Sequence, residues 1–594
     1  MPRANAKTKT KLKTVTVKQK QRQKLAKTGA ATLLVGLMAI GGWKLLSGRS
    51  GTLDTSNGMN LLPQDTFFSV SISTDAERWQ KFTEFGIPES RGIFQQQIAK
   101  FQTDFLTHYG YDYQRDIQPW IGKQILLGYL DNPSATVDKS APGKATLKQT
   151  IAILPIADRG AAQRVVEQHQ TPIDANLVES NYKGVAIREF KRKTGTMAIA
   201  IVDNYVAITT DRSGLERVID TQQSGKSLLT VPGYTKALTE IEIDRPFAQL
   251  YMNVPVATAV GAASSPQTLD PARLAQAQIQ QGIAANATLD TEGIAWKGIS
   301  WLKPDAKQKL TVENQGQNMA ENLPTNTLAM VSGGNLQRLW QDYVREADAN
   351  PLAPYKPNEL VKELDKVTGL TLDSEILNWS KGPFGIAMIP KPDRVDTEFG
   401  AGLVILQQAS DRSAAEKAFD RLDKKMAQIF KINKVQIGGK EATEWASPLR
   451  VIGATHGWLD RNMAFINLGA PVANTFVPQP KSRLADTALF QQSTRSNLNN
   501  HNGQLFIDVD RTINAGNISL PYISPEVRAG FQAVRSLGVT SAIFDESSNR
   551  FDIFVALKKV PGVATRPVAS PKSTKPTPAP KSPAVSPTPS PSGL

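Results

Sequence analysis

Few residues of this 594-residue chain are of a type and spacing that could do acid–base or metal chemistry. Asp508 and Asp510 stand two apart in Gln504-Leu505-Phe506-Ile507-Asp508-Val509-Asp510. If that run stays a strand, both carboxylates lie on one face, where they could share a proton or hold a cation. His456, in Ala454-Thr455-His456-Gly457-Trp458, sits beside a turn and an aromatic and is the histidine best placed to act as a base. His108, His169 and His501 have no second histidine at helical or hairpin spacing, so no metal centre is expected. The chain has no Cys, which excludes thiol nucleophiles, disulfides, Cys-based zinc sites and iron–sulfur ligation.

Two short strings imitate known chemistry and fail on spacing. Gly225-Lys226-Ser227 ends like a phosphate-binding loop, but Asp220 occupies the place of its first glycine, and a carboxylate there repels phosphate. Lys193-Thr194-Gly195 resembles the third motif of penicillin-recognising serine enzymes, yet Ser180-Asn181-Tyr182-Lys183 lies too close upstream for that fold. No catalytic, cofactor-binding or metal-binding residue is assigned.

The elements that must position these residues are written twice. Leu62-Pro63-Gln64-Asp65-Thr66, leading to Ser71 and Trp79, is echoed by Leu323-Pro324-Thr325-Asn326-Thr327, leading to Ser332 and Trp340. Gly110 to Trp120 matches Gly369 to Trp379, Asp158-Arg159 matches Asp411-Arg412, and Gln249 to Val254 matches Gln504 to Val509. The expected fold is therefore α+β, with two tandem homologous domains at 60–305 and 321–560, a linker at 306–320, mainly antiparallel sheets and packed helices. Phe67 to Ser73, Ile125 to Leu130, Thr150 to Ile156, Met197 to Val202, Tyr205 to Thr210, Gln249 to Val254 and Ile294 to Trp301 read as strands. Ala76 to Phe82, Phe94 to His108, Arg159 to Gln168, Ser213 to Gln222 and Pro271 to Ala284 carry helical spacing, and Asp203-Asn204 reads as a hairpin turn. Trp79, Trp340, Trp120 and Trp379 are expected in the cores.

The formal charge of +15 is confined to the ends. Residues 1–27, a basic tail expected in the cytoplasm, hold ten Lys or Arg and no acid; residues 561–594, a Pro-rich tail expected to be disordered, hold four and no acid. With Lys44 these account for the whole excess, so the body has no bulk charge for nucleic acid. Residues 28–46 form an apolar run of membrane length, about 28 Å as a helix, expected to be a transmembrane signal anchor followed by a linker at 47–59. A cleaved signal peptide, cut near Ala39-Ile40-Gly41, is the competing reading. The charge asymmetry places the N-terminus in the cytoplasm and the body in the periplasm or a lumen.

The basic leader, the apolar run, the Leu62 to Thr66 turn, the Gly110 to Trp120 stretch and the Asp158 to Ala162 helix start resemble a cyanobacterial membrane-anchored family of unknown function, domain of unknown function 3352. The resemblance implies a tethered protein of the inner or thylakoid membrane and supplies no catalytic residues. The expected function is non-enzymatic binding or scaffolding of an unidentified envelope, lumenal or wall partner, with the bilayer contacted through residues 28–46. The alternative is an extracytoplasmic hydrolase or transferase with a cleft between the repeats.

Overall fold

The computed structural model describes residues 58–559, apart from 131–148, 169–174, 194, 265–274, 276–277, 317, 348–356, 394–396, 398, 447–452, 499 and 514–524. The strands of the first half are β1 (Phe68–Ser73), β2 (Gln124–Leu130), β3 (Gln149–Pro155), β4 (Asn176–Tyr182), β5 (Val185–Arg192), β6 (Gly195–Val202), β7 (Tyr205–Thr209), β8 (Ala248–Asn253), β9 (Gln280–Leu289) and β10 (Gly293–Leu302). Those of the second are β11 (Ala329–Gly333), β12 (Phe384–Pro390), β13 (Ala401–Gln408), β14 (Lys431–Ile437), β15 (Lys440–Ala446), β16 (Ala454–Trp458), β17 (Met463–Gly469), β18 (Gly503–Asp508), β19 (Val534–Asp545) and β20 (Ser548–Leu557).

All of them pair antiparallel. In the first half the order runs β4-β5-β6-β7-β3-β2-β1-β8-β9-β10. The second half repeats that order from its own edge, as β14-β15-β16-β17-β13-β12-β11-β18-β19-β20. β10 then pairs with β20 from Gly293 opposite Ala556 to Trp301 opposite Ser548, joining the halves at a seam. At this seam Gly298 lies under the Phe551 ring, where a Cβ would come within 2.1 Å of Cε2. Ion pairs flank it: Arg495 with Asp290 at 2.6 Å, Lys559 with Glu292 at 2.8 Å and Lys236 with Asp545 at 3.3 Å.

The expected fold class is corrected here. Two tandem α+β domains, each with its own sheet, give way to one continuous twenty-stranded sheet, because β10 and β20 would otherwise be free edges and satisfy each other's main-chain groups. Residues 28–46, the expected membrane-spanning helix, lie outside the described residues. Among the described residues no helix is long and apolar enough to cross a membrane.

Local chemistry explains the connections. Lys183-Gly184 and Gly438-Gly439 both adopt positive φ and close the β4–β5 and β14–β15 hairpins in two residues. Asp75, Asp211 and Asp411 cap the helices Ala76–Phe82, Arg212–Ser224 and Arg412–Met426 by accepting from main-chain N–H groups. The helical reading of Pro271 to Ala284 is wrong at its end: residues from Gln280 onward form β9, whose apolar and small side chains pack between β8 and β10. A run of alanines has no strong local preference against the pairing available on both sides.

Burial divides the halves. In the first, both sheet faces are covered: one by a core around Trp79, Tyr111, Trp120 and Phe190, the other by a core around Leu126, Ile153, Leu215 and Tyr234. In the second, one face carries an extensive core around Met330, Val404, Phe465 and Phe506, while among the described residues the other has two small clusters, around Phe419 and Trp445.

Candidate functional site

The thinly covered face of the second half is apolar. Residues facing one side of neighbouring strands form a row in register: Ile405, Ile386, Val331, Leu505, Val539 and Ile553. Each is half-buried except Val331, which is 41% exposed. The matching row of the first half contains Val70 and Leu127, only 3% and 4% exposed. Trp79, Phe82, Phe94 and Phe247 stack around that face. The Trp79 indole also donates to the Ser73 carbonyl at 2.7 Å, fixing the helix Ala76–Phe82 against the sheet.

Its counterpart, the helix Leu336–Ala347, stands off enough to leave a groove of about 300 Å³. Arg338, Leu339 and Asp342 line one wall from a single helix face, Val331, Leu505, Val539 and Ile543 the floor, and Asn335, Gln315, Asn502 and Gln504 contribute amides. Leu339 is 48% exposed, and Trp340 is half-buried where Trp79 is sealed. Arg338 pairs with Glu313 at 3.5 Å and Asp342 at 3.7 Å.

Small residues carve the space. Ile72 and Ala248 face each other across β1 and β8; the corresponding pair in β11 and β18 is Gly333 opposite Gly503. A Cβ on Gly333 would lie 2.6 Å from the Phe384 ring, so the buried Phe384 depends on that glycine. Sequence reasoning did not identify this groove. The signal was present in the repeat: aligning Ser71 with Ser332 sets Ile72 against Gly333.

The residues singled out by sequence take structural positions. Asp508 ends β18, and Asp510 lies in the helix Val509–Ile513, so the expected placement of both on one strand face is corrected. Asp508 is 3% exposed; it accepts from the Arg511 main-chain N–H at 2.9 Å and from Arg511 Nε at 2.6 Å. Asn253 performs the same capping at the end of β8, accepting from the Val256 N–H. Asp510 pairs with Lys558 at 2.5 Å. His456 is buried, its Nε2 donating to Asp423 Oδ1 at 2.7 Å, with Phe419 stacked on its ring at 4.5 Å. The Trp445 indole donates to the same Asp423 oxygen at 2.7 Å. Burial pushes the Asp423 carboxyl up, but His456 and Trp445 outweigh it and hold the group below its ordinary value.

Of the remaining histidines, His169 and the His108 side chain lie outside the described residues. His501 Nδ1 is buried beside Gly316, and burial lowers that imidazole's pKa. Gly225 is the left-handed cap of the helix Arg212–Ser224, as its N–H to Thr221 shows, and the Lys193 turn joins β5 to β6. Trp120 and Trp379 are core residues, each donating to a carbonyl four positions earlier. Among the described residues no group of three His, Asp or Glu could hold a metal.

Sheet, seam and groove define a large antiparallel β protein of repeated topology with one covered and one open half. The chain belongs to the family DUF3352, proteins of unknown function, whose model matches residues 28–557. No curated protein matches it. Two crystal structures of TP0453, forms III and I, are similar at 7% and 8% identity, covering 43% of this chain and 82% and 81% of theirs, with TM-scores of 0.23 and 0.22. Scores of that size do not define a shared fold.

Proposed function

We propose that this is a non-enzymatic binding protein whose second half holds an extended apolar peptide segment of a partner in the groove between the helix Leu336–Ala347 and β11, β18 and β19. The observation carrying this reading is the contrast between Val331, 41% exposed, and Val70, 3% exposed, at matching places in one repeated topology. A sheet face left half open at a matched position favours an occupant over a packing accident. The amides of Asn335, Gln315, Asn502 and Gln504 suit a peptide main chain, whose N–H and C=O groups need partners when they leave water. The charged rim, Glu313 and Asp342 against Arg338, is acidic by one charge and disfavours an anionic lipid headgroup. The enzymatic alternative is weakened because Asp508, Asp510 and His456 are each committed to a structural bond.

Peptide display against the full-length protein tests the reading. Selected peptides should be apolar and neutral or basic, and should lose binding to Val331→Asp and Leu505→Asp. Equal binding to these variants would remove the groove as the site. The proposed location of the body, in periplasm or lumen, is supported by the basic leader alone; a reporter fused after residue 559 that is active in the cytoplasm would reverse it.

A further inference from the structure

The first half has a separate depression of about 670 Å³, bounded by the turn Pro63 to Asp65, the helix Arg212–Ser224, Pro232, the start of the helix Val254–Ser264 and Lys303. Two carboxylates line it, and both are neutralised. Asp65 accepts from Arg217 Nη2 at 2.6 Å, and Asp220 accepts from Lys183 Nζ at 2.6 Å and the Tyr182 hydroxyl at 3.1 Å. Two ammonium groups remain, those of Lys226 and Lys303, and neither has an ionic or hydrogen-bond partner among the described residues. The depression therefore presents two unbalanced positive charges.

The backbone beneath them is fixed. Lys226 carbonyl accepts from the Gln64 N–H at 3.3 Å, the Leu228 N–H donates to the Leu62 carbonyl at 2.9 Å, and the Lys303 N–H donates to the Ile279 carbonyl at 2.9 Å. The matching turn of the second half carries Arg483, which is closed off by Asp486 at 2.8 Å and Glu321 at 3.8 Å. In the first half the matching position is Ser227, and the charge stands one residue earlier, at Lys226, which lines the depression. The rest of the wall is mixed: Pro63, Val231, Pro232, Pro255 and Val256 give it an apolar surface, and Gln64, Thr221, Ser224, Asn253 and Gln281 add neutral polar groups.

We propose that this depression binds a small organic anion, its carboxylate or phosphate held by Lys226 and Lys303 and its apolar body laid on Pro63, Pro232 and Pro255. Ammonium groups recognise charge more than shape, so either head group fits, and the proline side of the wall offers an apolar body a surface to lie on.

Isothermal titration calorimetry on the full-length protein tests it, with phenyl phosphate and phenylacetate as probes to separate the two head groups. At least one should bind saturably, more tightly than inorganic phosphate or acetate respectively, with affinity that falls as salt rises. Lys226→Gln with Lys303→Gln should weaken binding by roughly tenfold or more, while Lys434→Gln, on β14, should leave it unchanged. Neither ammonium group has a partner among the described residues, and the main-chain bonds survive the substitutions, so the double variant should melt with the wild type and isolate the binding effect. The proposal fails if neither probe binds saturably, or if the double variant binds as the wild type does.

Discussion

Asp423 receives two donors on one oxygen: His456 Nε2 and Trp445 Nε1 both reach its Oδ1 at 2.7 Å. The bonds tie the end of the helix Arg412–Met426 to β15 and β16. Replacing Asp423 by Ala would leave both buried donors without an acceptor, and the expected cost is about 1–3 kcal/mol by urea denaturation. Asp423 is held below its ordinary pKa. Its stabilising contribution is therefore full above the unfolded value of about 3.9 and is lost as pH falls through the folded value. Wild type and Asp423→Asn should converge in stability on that acid side and diverge above it.

Gly333→Ala should be destabilising although the new methyl is small. Its Cβ would meet the Phe384 ring at 2.6 Å, and Phe384 is buried. Overpacking of this kind typically costs about 1–3 kcal/mol, and a crystal structure of the variant should show the ring displaced into the groove. Val331→Asp, on the half-open floor between Ile386 and Leu505, should cost about 1 kcal/mol in strand propensity, while abolishing uptake of the apolar dye Nile red.

The seam should make the two halves unfold together. Gly298→Val places branched carbons where Phe551 already sits, and the ring or the strand pairing must give way. The wild type is expected to show one calorimetric transition and the variant two. A single transition at a slightly lower temperature would mean that the seam contributes stability without coupling the halves.

Asp545 offers an independent probe of that seam. Burial raises its carboxyl, but hydrogen bonds from Ser548 and Ser547 and the Lys236 ammonium outweigh it and lower it to about 2. A carboxylate so depressed stabilises the fold above about 3.9, the unfolded value, and its contribution falls away between there and about 2. Asp545→Asn should be less stable than wild type at neutral pH and equal to it near the acid end of that window, as followed by tryptophan fluorescence.

The regular alternation of Phe68–Ser73 and the helical spacing of Ala76 to Phe82 and Arg159 to Gln168 made many individual strands and helices legible from sequence, as did the turn at Asp203-Asn204. The seam was not legible, because the Ile294 to Trp301 run reads alike whether it is an edge or pairs on both sides. β4 and β5 were also missed: Glu179, Arg188 and Glu189 interrupt their apolar pattern, and in the fold Arg188 pairs with Glu179 across the hairpin at 3.0 Å. Asp508 misled because its spacing from Asp510 suits a strand, whereas its own cap bond ends the strand there. The groove lay in a difference between repeats, Ile72 against Gly333, that mattered only once the neighbours of both were known.

The position of β20 within the sheet has a mechanical consequence. The strand is flanked by β10 on one side and β19 on the other, with bonds along most of its length. A load applied along the chain at Lys559 would have to slide β20 past two neighbours at once, rupturing many bonds together rather than peeling them one by one. The same load on β4 or β14, each paired on one side among the described residues, would meet about half that resistance. Stretched from its C-terminal end, this sheet should hold where its halves meet and yield first elsewhere.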